Sequence, residues 1–124
     1  MVDWQFISKR KETGAKRKIP RGKRKREMGR FPVETRVGER AVKRQRVRGG
    51  NIKTKTFKEQ FVNVNDGSTT KRVKIIEVLQ NPSNKDYDRR KIITRNTLLK
   101  TELGTVRVTS RPGQHGLING KLAE

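Results

Sequence analysis

Cysteine is absent from the 124 residues, histidine occurs once and aromatic residues make up only 5%. Without cysteine there is no disulfide framework, no thiolate metal site and no cysteine nucleophile. A single histidine, His115, supplies neither a multi-histidine zinc site nor a two-histidine metal triad. No apolar run approaches the roughly eighteen residues of a membrane-spanning helix. No apolar stretch follows the first charges, so a secretory signal is not expected, and a reducing cytoplasm suits the composition. Acidic side chains are scarce as well: 12 Asp and Glu stand against 33 Lys and Arg, for a formal net charge of +21.

Positive charge is what the chain has in excess. A compact chain at +21 repels itself unless a polyanion or counterions neutralise it. Nucleic acid is the usual polyanion, and anionic lipid is the second. The length allows one domain, or one small domain with a tail, and not two full cores.

Charge and apolar side chains are unevenly distributed. Of the Leu, Ile, Val and Phe residues, only Val2, Phe6, Ile7 and Ile19 lie within residues 1–30, whereas twenty-five lie within 31–124. From Lys9 to Arg30, twelve of twenty-two residues are basic, against Glu12 and Glu27, with Gly14, Pro20, Gly22 and Gly29 interspersed. Such a segment buries too little apolar area to offset the entropy of ordering, which predicts an extended basic arm, unstructured alone. The expected organisation is an arm over residues 1–40 and a folded domain over residues 41–124.

The remainder reads as short strands: Arg44–Val47, Lys53–Phe57, Phe61–Val64, Lys71–Leu79, Lys91–Thr94, Thr97–Thr101, Thr105–Ser110 and Leu117–Asn119. Asp66-Gly67 is a hairpin signal between Val62/Val64 and Val73/Ile75. The stretch around Val73, Ile76 and Leu79 also fits a helical period, but β-branching and shortness favour a strand. No stretch of twelve residues combines helical periodicity with caps. Frequent turns between short strands predict an all-β fold, a small closed or nearly closed β-barrel. Phe57 and Phe61, embedded among strand residues, are expected in its core. Trp4 and Phe6 are expected either to stack on a base or to fold back onto the barrel rim.

Enzymatic constellations fail one after another, so the chain is read as a non-enzyme with no cofactor and no metal. His115 sits in the loop-like Gln114-His115-Gly116 with nothing converging on it. Ser8, Ser68, Ser83 and Ser110 lack a nucleophile-elbow setting. Gly22-Lys23 lacks the upstream Gly and the following Ser or Thr of a phosphate-binding loop. Asp86 and Asp88 are spaced for a Mg²⁺ loop, yet Lys85, Arg89 and Arg90 offer simple charge partners.

Nucleic-acid binding is where the residue pattern points. Lys9, Arg10, Lys11, Lys16, Arg17, Lys18, Arg21, Lys23, Arg24, Lys25, Arg26 and Arg30 can track a phosphate backbone, and the interspersed glycines permit close approach. Basicity persists beyond the arm: residues 51–124 hold fifteen basic against seven acidic side chains. In the segment from Arg44 to Asn51, a strand puts Arg44, Arg46 and Arg48 on one face, and three aligned arginines repel unless an anion lies across them. Gly49 and Gly50 then permit a positive-φ turn whose N–H groups cradle a phosphate. Arg36 and Lys53 extend the basic set, and Arg111 and Gln114 flank a Pro112-Gly113 pair expected to form a type II turn. With aromatics so sparse, recognition is expected to rest on phosphates and shape more than on base stacking.

Five blocks occur in order: Arg10-Lys11-Glu12-Thr13-Gly14-Ala15; Glu27-Met28-Gly29-Arg30-Phe31-Pro32; Glu34-Thr35-Arg36-Val37-Gly38; Val47-Arg48-Gly49-Gly50-Asn51; and Val108-Thr109-Ser110-Arg111-Pro112-Gly113-Gln114. Their succession, over nearly the whole chain, resembles the small-subunit ribosomal protein family numbered eight with the suffix e, shared by archaea and eukaryotes. The short length resembles the archaeal form. The resemblance implies a β-barrel with a basic N-terminal extension, bound to small-subunit ribosomal RNA as a structural component. It further implies a cytoplasmic, ribosomal location, a monomer among neighbouring ribosomal proteins, and no membrane. The matching positions are Thr13, Gly14, Gly29, Arg30, Arg48, Gly49, Gly50, Asn51, Arg111, Pro112, Gly113 and Gln114. Two departures stand out: Pro20-Arg21-Gly22 where family members often have His-Arg, and Asn96 where a turn glycine is usual. Asn tolerates the same left-handed conformation. The competing reading is a chromatin-type DNA-compacting protein, which shares the charge but prefers duplex DNA. A polybasic membrane-surface protein lacks the amphipathic helix or anchor it needs.

Overall fold

The computed structural model describes residues 3–5 and 7–123, with Asp3 described in its backbone alone. It divides into two compact units, Met1–Pro32 and Val33–Glu124. Residues 33–40, placed in the arm by the sequence reading, contribute a strand and the buried Thr35 to the second unit.

In the first unit, β1 (Asp3–Trp4) pairs antiparallel with β2 (Met28–Gly29), and a short 3-10 turn over Lys25–Glu27 leads into β2. No described residue before Thr35 is buried. Local hydrogen bonds rather than a core organise this unit, as its poverty in apolar side chains dictates.

The second unit begins with a three-stranded sheet: β3 (Arg36–Val37), β4 (Ala41–Arg46) and β5 (Ile52–Glu59), in the order β3-β5-β4. The barrel follows. β6 (Phe61–Asn65) and β7 (Thr70–Gln80) form the hairpin turned at Asp66-Gly67, where Gly67 has φ 89°. A short helix, α1 (Lys85–Arg89), precedes β8 (Leu98–Thr101) and β9 (Gly104–Val108); a second, α2 (Pro112–His115), precedes β10 (Asn119–Leu122). Strands β10-β6-β7-β8-β9 close into a barrel, sealed by the parallel pairing of β10 with β6. The fold is all-β in character, with a closed five-stranded barrel.

Alternation builds the core. Val62 and Val64 of β6, Val73, Ile75 and Val78 of β7, Leu99 of β8, Val106 and Val108 of β9, and Ile118 point inward and are buried. Two irregularities in the β7–β8 register, at Ile75/Glu77 and Val78/Gln80, leave Ile76 and Leu79 exposed. The interior is small enough to require glycine at position 120. A Cβ there would lie 2.4 Å from Val106 Cγ1 and 2.9 Å from the Arg107 carbonyl oxygen. Gly120→Ala is therefore expected to cost about 1–3 kcal/mol, read as a lowered urea midpoint; an unchanged midpoint would contradict this account of barrel closure.

Three expectations need correction. Lys91–Thr94 is not a strand: Lys91 follows α1 with a left-handed φ of 52°, and only Ile93 makes a bridge, to Thr35. Asn84 caps α1, its side chain accepting from the Asp86 N–H, and Asn81, buried, donates to the Ile92 carbonyl, so this excursion is organised by side-chain hydrogen bonds. Pro112-Gly113 does not form a type II turn; Pro112 opens α2, and the left-handed glycine is Gly116, φ 80°. Phe57 and Phe61 are not core residues, since the inward parity is taken by Thr56 in β5 and by Val62 and Val64 in β6.

Candidate nucleic-acid interface

The β4–β5 hairpin departs from ordinary packing. Its register sets Val42 opposite Thr56, Lys43 opposite Lys55, Arg44 opposite Thr54, Gln45 opposite Lys53 and Arg46 opposite Ile52. Alternation then puts Arg44 and Arg46 on one face, and Lys43, Lys53 and Lys55 on the other. From Ala41 to Lys53 no residue is buried, and Ile52 is 65% exposed. Only the base of the ribbon is supported, where Thr54 packs against Gly116; beyond it a two-stranded ribbon is marginal by itself, and Lys43 directly opposite Lys55 makes it less stable still. An anion along the ribbon removes that repulsion.

The tip of the ribbon is closed by a hydrogen bond from the Val47 N–H to the Asn51 carbonyl, 2.7 Å. Gly49 and Gly50 both adopt positive φ, 76° and 78°, a conformation open to glycine at no steric cost. Arg48 lies in this turn, so the expected face of three arginines reduces to Arg44 and Arg46 with Arg48 beyond the strand end. Asn51 donates from Nδ2 to the Arg48 carbonyl, 3.5 Å. Lys53 falls on the opposite face from the arginines. Lys43 and Lys55 carry no signal in the sequence; the register alone sets them opposite each other on the face away from Arg44 and Arg46.

In the first unit, residues 9–17 fold back on themselves and do not run extended as the sequence predicts. Arg10 bridges to Lys16, the Arg17 N–H donates to the Lys9 carbonyl (3.0 Å) and the Lys11 N–H to the Ala15 carbonyl (2.9 Å). Thr13 and Gly14 stand at the tip, and Arg10 donates to the Gly14 carbonyl at 2.8 Å. Lys9, Arg10, Lys11, Lys16, Arg17 and Lys18 all remain exposed. Arg21 pairs with Glu27, whose other oxygen accepts from the Arg24 N–H at 3.0 Å. The Arg21 hydrogen bond, followed by that of the Arg24 N–H, holds the Glu27 carboxyl below its usual range. The Lys23 ammonium lies 5.5 Å from the centroid of the Trp4 ring, within cation–π reach. Phe6 lies outside the described residues. Arg24, Lys25, Arg26 and Arg30 are exposed.

Arg36 is exposed on β3, with Glu34 3.5 Å away. Arg111 and Gln114 are exposed on either side of Pro112-Gly113, and the Arg111 N–H donates to His115 Nδ1 at 3.1 Å. His115, Arg40, Arg44 and Thr54 share a shallow cavity at the base of the ribbon.

Around α1 charge is neutralised internally. Asp86 pairs with Arg89 (2.9 Å) and Arg90 (3.3 Å), and Arg90 also pairs with Glu34. The Arg90 hydrogen bond, then that of Arg89, lowers the Asp86 pKa from its ordinary 3.8. A folded-state value below the unfolded one means that the pair stabilises fully above the unfolded pKa and loses that contribution as pH falls through the folded one. An NMR titration of the Asp86 carboxyl is expected to give a midpoint below the ordinary value, moving upward in Arg90→Gln; no movement would contradict the pairing. Among the described residues, no cluster of three or more His, Asp or Glu could hold a metal ion, and no helix is long and apolar enough to cross a membrane.

Known proteins match this chain over nearly its whole length. The family model described as "Ribosomal protein S8e" matches residues 4–123. Proteins named small ribosomal subunit protein eS8 are similar in several archaea. That of Nanoarchaeum equitans is 51% identical over 106 residues, 84% of each chain. That of Methanospirillum hungatei is 44% identical over 125 residues, covering 99% of this chain and all of its own. That of Sulfolobus acidocaldarius is 46% identical over 125 residues, 98% of each. The order of the five sequence blocks, the barrel and these matches agree: the chain belongs to the ribosomal protein S8e family.

Proposed function

We propose that this protein is a structural component of the small ribosomal subunit, holding ribosomal RNA by neutralising phosphates with its arm and with the β4–β5 ribbon. The observation that carries this reading is the ribbon itself, basic on both faces and buried on neither from Ala41 to Lys53. A ribbon of that kind gains its stability from what it inserts into, and a folded RNA supplies phosphates on both sides at once. Gly49 and Gly50 at its tip, with Arg48 and Asn51, bring main-chain N–H groups and a guanidinium to one phosphate. The arm residues Lys9 to Arg30, exposed and without a core, follow a backbone path in the same way. Arg36, Arg111 and Gln114 add contacts from the barrel unit. The relatives named as small ribosomal subunit proteins support the choice of RNA, the ribosome as location, and RNA and neighbouring ribosomal proteins as partners of a monomeric chain. The chemistry required is binding alone, without catalysis, cofactor, metal or membrane.

Competition filter binding tests this reading: labelled small-subunit ribosomal RNA is challenged with unlabelled structured RNA or with duplex DNA of equal phosphate content. Structured RNA is expected to displace the label at a far lower concentration. Equal or better displacement by duplex DNA would contradict the proposal in favour of a DNA-compacting protein.

A further inference from the structure

We propose that the outer surface of the barrel carries a pocket for one unpaired nucleobase, guanine, read by Glu59 and stacked on the Phe61–Arg72 pair. This rests on the RNA-binding reading above and adds to it a site that reads a base rather than a phosphate.

Because Val62 and Val64 point inward, Phe61, Asn63 and Asn65 line the outer face of β6, with Arg72 of β7 opposite Asn63. The Arg72 guanidinium lies 4.5 Å from the centroid of the Phe61 ring. Both are open to solvent, Arg72 with 57% of its side chain exposed and Phe61 at 37%. Arginine on an aromatic ring is a platform on which a splayed-out base continues the stack.

Glu59, at the end of β5, borders the same cavity of about 190 Å³, together with Arg40, Phe61, Asn63 and Arg72. Its side chain is only 6% exposed. One carboxylate oxygen, Oε2, lies 3.4 Å from Arg40 Nε; the other, Oε1, lies 3.9 Å from the Arg72 guanidinium, too far for a hydrogen bond, and is buried without a hydrogen-bond partner. An ionised carboxylate only accepts, so a donor must complete it, and a buried acceptor left open costs stability. A small slide of the exposed Arg72 guanidinium along the Phe61 ring, away from Oε1, opens that oxygen to a base stacked on the outer side of the pair. Guanine presents two adjacent N–H donors, N1 and N2, on its Watson–Crick edge, whereas uracil presents one ring N–H and cytosine and adenine one amino group. Two arginines and one carboxylate leave net positive charge for the phosphate of the same nucleotide. A second cavity shares Asn63 and is lined by Asn65, Thr70, Asn119 and Lys121, polar neighbours for the next nucleotide; the Asn63 amide is fixed there by donating to Asn119 Oδ1 at 3.0 Å.

The test measures binding of the full-length protein to the labelled pentaribonucleotides UUGUU, UUAUU, UUCUU and UUUUU by fluorescence anisotropy. Equal length and charge cancel the phosphate contribution. UUGUU is expected to bind about tenfold tighter than UUUUU, the discrimination of a good base contact. Glu59→Gln brings that ratio close to one while affinity for UUUUU is retained. Since Glu59 is buried in an ion triad and its replacement can disturb the fold, Phe61→Leu, at an exposed position, provides a second probe: it lowers UUGUU affinity severalfold with an unchanged urea midpoint. Equal affinity for all four oligomers with steep salt dependence would overturn the pocket and leave the phosphate reading standing. A guanine preference untouched by both substitutions would overturn its assignment to this cavity. No binding of any oligomer at low salt would overturn the pocket alone, since the phosphate reading is tested separately by the competition on folded ribosomal RNA.

Discussion

Replacing Arg44, Arg46, Arg48 and Lys53 together with glutamine is expected to lower affinity for small-subunit ribosomal RNA on the order of a hundredfold at moderate salt. Each lost phosphate contact also removes a released counterion. The slope of log affinity against log salt should therefore become shallower by about 3 for four contacts. None of the four side chains is buried, so the unfolding midpoint should stay where it was. The matched control replaces Lys85, Arg89, Arg90 and Lys91 with glutamine. Three of these are already engaged, Arg89 with Asp86, Arg90 with both Asp86 and Glu34, and Lys91 with Glu77, so their removal should change RNA affinity far less. Equal losses in the two variants would mean that total charge, and not the ribbon, governs binding.

Deleting residues 1–32 is expected to have the larger effect on RNA and almost none on the fold. The deleted segment carries the twelve basic residues between Lys9 and Arg30, and none of its described residues is buried. Every residue of the core belongs to the second unit, from Val62 to Ile118. The truncated chain should keep the thermal transition and circular dichroism of the barrel, while affinity for ribosomal RNA falls on the order of a thousandfold and the salt slope drops by more than in the ribbon variant. Loss of the barrel transition on truncation would show that the arm is part of the folding unit.

The barrel was legible in the sequence because alternation and turn chemistry agree there. Val62 and Val64 before Asp66-Gly67, and Val73 and Ile75 after it, leave one register in which the same face is apolar on both strands. Strand ends were legible to within a few residues for the same reason, and Asn96 adopts the left-handed conformation expected of it, φ 68°. Closure was not legible, since it depends on the parallel pairing of β10 with β6, a contact between distant segments with no local signature. Lys91–Thr94 looked like a strand because Ile92 and Ile93 are apolar and β-branched; the hydrogen bonds of Asn81 and Asn84 that turn this segment are again non-local or short-range polar effects.

At the candidate interface, the basic composition and the Gly49-Gly50 turn were readable from the residues alone. The ribbon's second face was not, because a period of two says which residues share a face but not whether that face packs on anything. Phe61 is the instructive case. Its parity relative to Val62 and Val64 already directs it outward, but apolar character alone suggested the core. Glu59 gave no signal at all: only the fold brings its carboxylate between Arg40 and Arg72.

The central claim is that this chain's charge is matched to the RNA of the small ribosomal subunit. Sucrose-gradient sedimentation of a native cell extract, probed for this protein across a salt series, tests it most directly. The account predicts that the protein travels with small subunits at low and moderate salt and leaves them only as salt rises steeply. Sedimentation as free protein at low salt, or with DNA in place of the small subunit, would contradict it.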